Sequence, residues 1–169
     1  MKTPEEIIEI LQNRFTDEEW ILESGQSGLP WIRVPANKIK EVSKILRDDA
    51  EFRFDTLMCL SGLHYSAEQE LGVAYHLHST SLKHSLALKV RVPEEKPEIP
   101  SVESIWKTAD WHEREAWDMV GVQFTDHPDL RRILCPDDWE GYPLRKDYVP
   151  QEFYHGVPTG EKTVSEQND

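Results

Sequence analysis

Apolar positions recur along this chain with two periods, and each period predicts a different kind of element. Between Thr3 and Phe15, the residues Ile7, Ile8, Leu11 and Phe15 share one helical face. Thr3 is placed as the N-cap, Pro4 at the first helical position, and Glu6 completes a capping box. Two short apolar runs, Trp20 to Glu23 and Leu29 to Val34, flank Ser24-Gly25-Gln26-Ser27-Gly28 and predict a two-stranded hairpin. Pro35 and Asn37 then open a second helix, with Ile39, Val42, Leu46 and Ala50 on its core face and Lys38, Lys40, Lys44 and Arg47 on its wet side.

The period then changes to that of strands. Phe52 to Leu63 reads as one strand. Leu71, Val73, Tyr75 and Leu77 alternate with Gly72, Ala74, His76 and His78 in the next. Leu82, Leu86, Leu88, Val90 and Val92 alternate with Lys83, Ser85, Ala87, Lys89 and Arg91, and the short Ser79-Thr80-Ser81 connection predicts an antiparallel hairpin. Pro93, Pro97 and Pro100 end the sheet, Ser101 or Ser104 is placed to cap a short helix, and a further helix runs from about Thr108 to a stop at Gly121. Beyond it, prolines 128, 136, 143, 150 and 158 exclude a long regular element. The predicted fold class is α+β: a mostly antiparallel sheet covered by helices on one face, followed by a helix and an extended Pro-rich C-terminal arm. The expected units are an α+β domain over 1–120, an interaction arm over 121–155 and a flexible tail over 156–169.

A length of 169 residues suits one domain. A net charge of -13 repels phosphate backbones and anionic headgroups, so nucleic acid and direct membrane docking are poor partners and a basic protein surface is a better one. Cys59 and Cys135 lack CxxC spacing, which speaks against a disulfide framework, a zinc site or an iron–sulfur cluster held by this chain. The opening MKTPEEIIEI is acidic where a signal peptide is basic and apolar, and no apolar run reaches membrane-spanning length, so the chain is expected to fold in the cytoplasm.

Candidate chemistry concentrates between Glu113 and Tyr148. Glu113, Ala116, Trp117 and Val120 share a helical face, while Arg114 and Asp118 stand four apart and can pair. A carboxylate against an apolar side requires a raised pKa or a cation, for which Arg131, Arg132, Arg145 and Lys146 are available. Two readings follow, a proton-handling carboxylate cluster and a structural ion-pair network, and the second is the commoner arrangement. His112-Glu113 does not complete HExxH, because the required second histidine is Ala116. His76 and His78 share a strand face with His84 on the neighbouring strand, an arrangement compatible with either a metal site or a solvated sheet face. His127 before Pro128 reads as a conformational or interface residue, and no glycine-rich nucleotide motif is present.

One spacing pattern is more specific. Glu113-Arg114-Glu115, two residues, Asp118-Met119-Val120, six residues, His127, three residues, Arg131, one residue, Ile133-Leu134 resembles the signature of the C-type subunit of NADH:quinone oxidoreductase, the 30 kDa subunit of respiratory complex I. Tyr75-His76-Leu77, Val90 to Pro93, Pro100-Ser101-Val102 and Pro143-Leu144-Arg145-Lys146-Asp147-Tyr148 extend the likeness. The resemblance implies an accessory subunit of the peripheral arm of a proton-translocating complex. It would have no catalytic, cofactor or metal residues of its own, while partner subunits carry FMN and iron–sulfur clusters and quinone is the acceptor. It further implies packing against the D-type subunit, which helps form the quinone chamber, and against the neighbouring iron–sulfur subunits, on the cytoplasmic side of the cell membrane. Glu113, Arg114, Glu115, Asp118, His127, Arg131, Arg132, Arg145 and Lys146 then serve as signature and interface residues. His64 departs from the pattern, standing where the family often carries Asp, and the short stretch after the arm leads to the expectation of the form not fused to the D-type subunit. The competing functions are the equivalent subunit of an energy-converting hydrogenase and a free-standing hydrolase with Glu113, Glu115 and Asp118 around a metal.

Overall fold

The computed structural model describes residues 2–15, 20–23 and 30–159. Helix α1, Pro4–Arg14, starts as its capping box dictates: the Glu6 N–H donates to the Thr3 hydroxyl at 3.3 Å and the Thr3 N–H to Glu6 Oε2 at 2.8 Å. Strands β1, Ile21–Glu23, and β2, Trp31–Arg33, pair antiparallel, and the connecting turn predicted at Ser24 to Gly28 lies outside the described residues. A 3-10 turn at Ala36–Lys38 leads into α2, Ile39–Asp48, which buries Ile39, Val42 and Leu46 completely. Ala50 was expected on that face but is exposed past the helix end, where Asp49 leaves the helical conformation. The Asp49 carbonyl accepts the N–H groups of Phe52 and Arg53, and this turn swings Phe52 and Phe54 into the core. The following strand, β3, Thr56–Tyr65, therefore starts later than the apolar run suggests.

β3 continues into β4, Glu70–Ser79, and β5, His84–Pro93, as an antiparallel meander. The sheet order is β1-β2-β5-β4-β3, with β2 and β5 parallel, so the sheet is mixed at that one junction. Cross-strand pairs Leu71–Val92, Val73–Val90, Tyr75–Leu88 and Leu77–Leu86 build the inner face, which joins the buried side chains of the helices in one core. The opposite face carries half-buried polar and aromatic groups, including Lys89 over the Trp31 ring at 4.1 Å and Arg91 over Tyr65 at 3.8 Å.

Strand β6, Glu98–Pro100, precedes α3, Ala109–Val120, and β7, Gln123–Thr125, pairs with β6 in parallel. Neither Ser101 nor Ser104 caps a helix: residues 101–108 form turns, and α3 starts after Thr108, whose hydroxyl donates to the Leu57 carbonyl. Gly121 ends α3 as expected, in the left-handed conformation at φ 90° that glycine adopts without strain. From 126 to 152 there is no helix or strand, and a small hairpin, Phe153–Tyr154 with Val157–Pro158, follows. Most of the tail expected over 156–169 lies outside the described residues.

α3 lies directly on β3 at Gly62, where a Cβ would stand 3.0 Å from Val120 Cγ2 and 3.2 Å from Ala116 Cβ. Glycine is thus a condition of the helix–sheet distance. Gly62→Val should lower the unfolding free energy by about 2 kcal/mol through overpacking. A urea midpoint equal to that of the unaltered chain would show that α3 can shift without penalty.

Candidate functional site

The buried side of α3 carries Glu113 with 0% exposure. Its Oε2 accepts the Ser101 hydroxyl at 2.6 Å and its Oε1 accepts the Val102 N–H at 2.8 Å, so the carboxyl fastens the 101–102 turn to the helix. Burial pushes this carboxyl up to about 7; the two hydrogen bonds oppose that rise, and Glu103 and Asp110 add to it. Of the two outcomes expected from sequence, the raised pKa is the one that the surroundings favour: Arg131, Arg132 and Arg145 pair with other carboxylates, and Lys146 is engaged through its backbone N–H.

Beside Glu113 lies His127, whose side chain is fully buried. Its Nδ1 accepts the Asp129 N–H at 3.1 Å, which leaves the proton of the neutral ring on Nε2. That N–H faces the Asp110 carbonyl at 3.3 Å, Asp110 Oδ1 at 3.4 Å and Glu113 Oε2 at 3.8 Å. Tyr75 reaches the same interior from β4, with its hydroxyl buried and unpartnered among the described residues and its pKa raised by burial and by Glu113. Ser101, Asp110 and Tyr75 are members of this cluster that sequence reasoning did not assign to it.

Asp118 has the opposite surroundings. Oδ2 accepts three successive backbone N–H groups, from Ile133, Leu134 and Cys135, at 2.8 to 3.0 Å, and Oδ1 accepts Arg132 Nη1 at 2.7 Å. Burial alone would raise this carboxyl, but the N–H groups of Cys135, Leu134 and Ile133 and the Arg132 guanidinium outweigh it, so its pKa is lowered. Arg114 does not pair with Asp118; it donates to the carbonyls of Arg131 and Arg132 and lies 5.2 Å from the Trp111 ring. Arg132 completes the grip by donating to the Trp139 carbonyl at 2.9 Å.

A third attachment lies at the far end of α3. Arg145 donates to the Val120 carbonyl at 2.6 Å and to Glu94 Oε1 at 2.7 Å, with the Tyr142 ring 4.6 Å away, and the Leu144 N–H meets the Met119 carbonyl. His64 accepts the Lys146 N–H on Nδ1 at 3.0 Å, while Glu94 and Asp147 carboxylates stand 3.8 and 3.5 Å from its two nitrogens. The donor atoms of His64, Glu94 and Asp147 could converge on a cation. The Nδ1 lone pair and one Glu94 oxygen are already engaged, however, so the group reads as a clasp on residues 145–147. Glu94 and His64 were not tied to this segment by sequence.

Three signature residues face outward. Arg131 pairs with the nearby Asp129 at 2.8 Å, Lys146 engages through its backbone N–H, and Glu115 is exposed with no ion pair among the described residues. Glu113, Glu115 and Asp118 therefore do not converge as a metal-dependent hydrolase requires: one is buried under Ser101, one faces solvent and one is enclosed by residues 132–135. Nor do the three strand histidines meet. His76 and His78 lie on the outer sheet face, whereas His84 is in register with Ser79 on the inner face, stacked on Phe54 at 4.6 Å and bonded through Nε2 to the Phe52 carbonyl at 2.6 Å.

Residues 32–154 match the family described as respiratory-chain NADH dehydrogenase, 30 Kd subunit. A protein of Chlorobium phaeobacteroides, named as the C-type subunit of NADH-quinone oxidoreductase, is 44% identical over 151 residues, covering 88% of this chain and 90% of its own length. One of the same name from Chloroherpeton thalassium is 56% identical over 117 residues, covering 69% of this chain and 48% of its own length. Among solved structures, the trypsin-resistant fragment of Nqo5 superposes with a TM-score of 0.58 at 27% identity, covering 73% of this chain and 99% of the fragment. A chain of the membrane-bound sulfane sulfur reductase, an archaeal respiratory membrane complex, gives 0.70 at 26% identity and covers 86% of this chain and 85% of that one.

Two substitutions separate the two carboxyls. Glu113→Gln keeps both hydrogen bonds, its carbonyl accepting from Val102 and its amide donating to Ser101. In the unaltered protein the folded state holds a proton on Glu113 between about pH 4.5 and about pH 7. Stability from this group therefore falls as pH rises through that window, by on the order of 3 kcal/mol. The Gln variant should lack that slope in urea titrations, and parallel profiles would contradict the assignment. Asp118→Ala should destabilise by about 3 kcal/mol and speed amide hydrogen exchange at 133–135; unchanged exchange there would show that the carboxylate does not hold the segment.

Proposed function

The chain belongs to the 30 kDa subunit family of respiratory-chain NADH dehydrogenase, and from that premise we propose that it is an accessory subunit of the peripheral arm of a proton-translocating NADH:quinone oxidoreductase. It supports electron transfer from NADH to quinone without cofactor chemistry of its own, FMN and iron–sulfur clusters being carried by partner subunits. Its neighbours are the D-type subunit of the quinone chamber and the adjoining iron–sulfur subunits. It sits on the cytoplasmic side of the cell membrane, held there by those partners. Among the described residues no helix is long and apolar enough to cross a membrane.

The observation that carries this reading is how the signature charges are used. Asp118, Arg114, Arg132 and Arg145 all bond to backbone groups of the segment or of α3, so they hold an irregular chain in one shape. A chain without helices or strands repays such ordering when a partner reads its shape. The likeness to a sulfane sulfur reductase chain favours a second reading, an equivalent subunit of a related respiratory complex. The 44% and 56% identities to NADH-quinone oxidoreductase subunits favour the first.

The tagged chain, isolated from detergent-solubilised membranes of its own organism, should bring down an NADH-dependent quinone-reducing complex. Arg132→Ala should lower the amount of assembled complex several-fold, while the turnover of each assembled complex holds. Arg131→Ala tests the exposed end of the signature, where an ion pair with Asp129 contributes little by itself. Full assembly of the Arg132 variant with lost quinone reduction would replace the scaffold role by a direct one.

A further inference from the structure

Trp111, Glu115 and Met119 follow one another at four-residue intervals and form one outward stripe on α3. Trp111 is 62% exposed. On one side of the stripe Leu134 stands 61% exposed, held in place by its N–H bond to Asp118. On the other, Leu144 is 60% exposed, fixed by its N–H bond to the Met119 carbonyl, and it borders with Glu115 a groove of about 140 Å³ that reaches Leu60. Exposed apolar side chains on rigid supports mark contact surfaces, and an exposed tryptophan is a usual anchor.

Glu115 lies within this apolar stripe, exposed and without an ion pair among the described residues. Three arginines of the signature are committed elsewhere: Arg114 to the carbonyls of Arg131 and Arg132, Arg132 to Asp118, and Arg145 to Glu94 and Val120. Any cover over the stripe takes Glu115 out of water, and a carboxylate enclosed without a cation is costly. A cation carried by the cover would remove that cost. We propose that this stripe docks a partner polypeptide that sets apolar side chains against Trp111, Leu134 and Leu144 and brings one lysine or arginine to Glu115. The inference rests on the complex-subunit reading and specifies the chemistry of one of its contacts. The chain's own charge of -13 disfavours a second copy as that cover.

The test uses the assembled complex from native membranes. Glu115→Lys and Trp111→Ala should each cut retention of the subunit under a salt wash about tenfold. The isosteric Glu115→Gln should reduce it less, and Val157→Ser, exposed on the small terminal hairpin, should leave it unchanged. A photo-cross-linking amino acid at position 144 should capture a peptide with a lysine or arginine among apolar residues, and changing that cation to glutamate should restore retention of Glu115→Lys. Each variant is first compared by thermal melting; should Trp111→Ala fail to fold, Glu115→Gln and the cross-link carry the test. Retention of Glu115→Lys equal to that of the unaltered chain, a cross-link to a second copy, or a captured peptide without a cation would overturn the proposal. Absence of the unaltered chain from any quinone-reducing complex would instead overturn the functional reading beneath it.

Discussion

Three successive backbone N–H groups and one guanidinium converge on the carboxylate of Asp118, and the shape of the chain beyond β7 depends on that convergence. Residues 126–152 have no ladder or helix to satisfy their peptide groups, and peptide groups shielded from water without partners are expensive. Asp118 meets three of them, Arg114 and Arg132 meet carbonyls of the same segment, and the Met119 carbonyl meets another N–H. A helix thereby acts as the template for an irregular strip. Because the grip is a charge held by fixed dipoles and one cation, it depends on geometry more than on apolar area.

Five positions earlier on the same helix, Glu113 solves the opposite problem. It faces the core, and its two hydrogen bonds do not offset its desolvation, so its pKa rises to about 7. His127, Asp110 and Tyr75 close around it, and the Nδ1 bond from Asp129 fixes the tautomer that presents an N–H to the acids. Two carboxyls on one helix are thus driven in opposite directions by what faces them, one toward holding a proton and one toward holding a charge.

The fold was legible where local chemistry and period agree: the Thr3 capping box, the β4–β5 alternation and the Gly121 stop all form as their residues dictate. It was less legible where a turn redirects apolar side chains, as with Phe52 and Phe54, whose composition suits a strand while the Asp49 carbonyl bends the chain. Ser101 shows a related limit: its type suits a helix cap, yet its hydroxyl has a buried carboxylate as partner twelve residues on, which no local pattern encodes. At the site, sequence spacing identified the charged residues but not their pairing. Arg114 and Asp118 stand at the right interval on α3, and each finds a better partner in the segment folded over them. The roles of His64 and Glu94 depend on bringing β3, the end of β5 and residues 145–147 together, a purely tertiary fact.

The parallel junction in the sheet has a consequence for how the molecule is made. Trp31, Ile32 and Arg33 pair with Ala87, Leu88 and Lys89, so β2 cannot enter the sheet until the whole β3–β4–β5 meander has been synthesised. During translation the amino-terminal layer emerges first and is seated late, with Ile7, Leu11 and Ile32 left without their final cover in the interval. The meander, whose contacts are local, is the part able to form first. A nascent chain stalled before β5 should therefore be open to chaperones and proteases at its amino-terminal end, which makes elongation through β5 the step that commits the subunit to a stable shape.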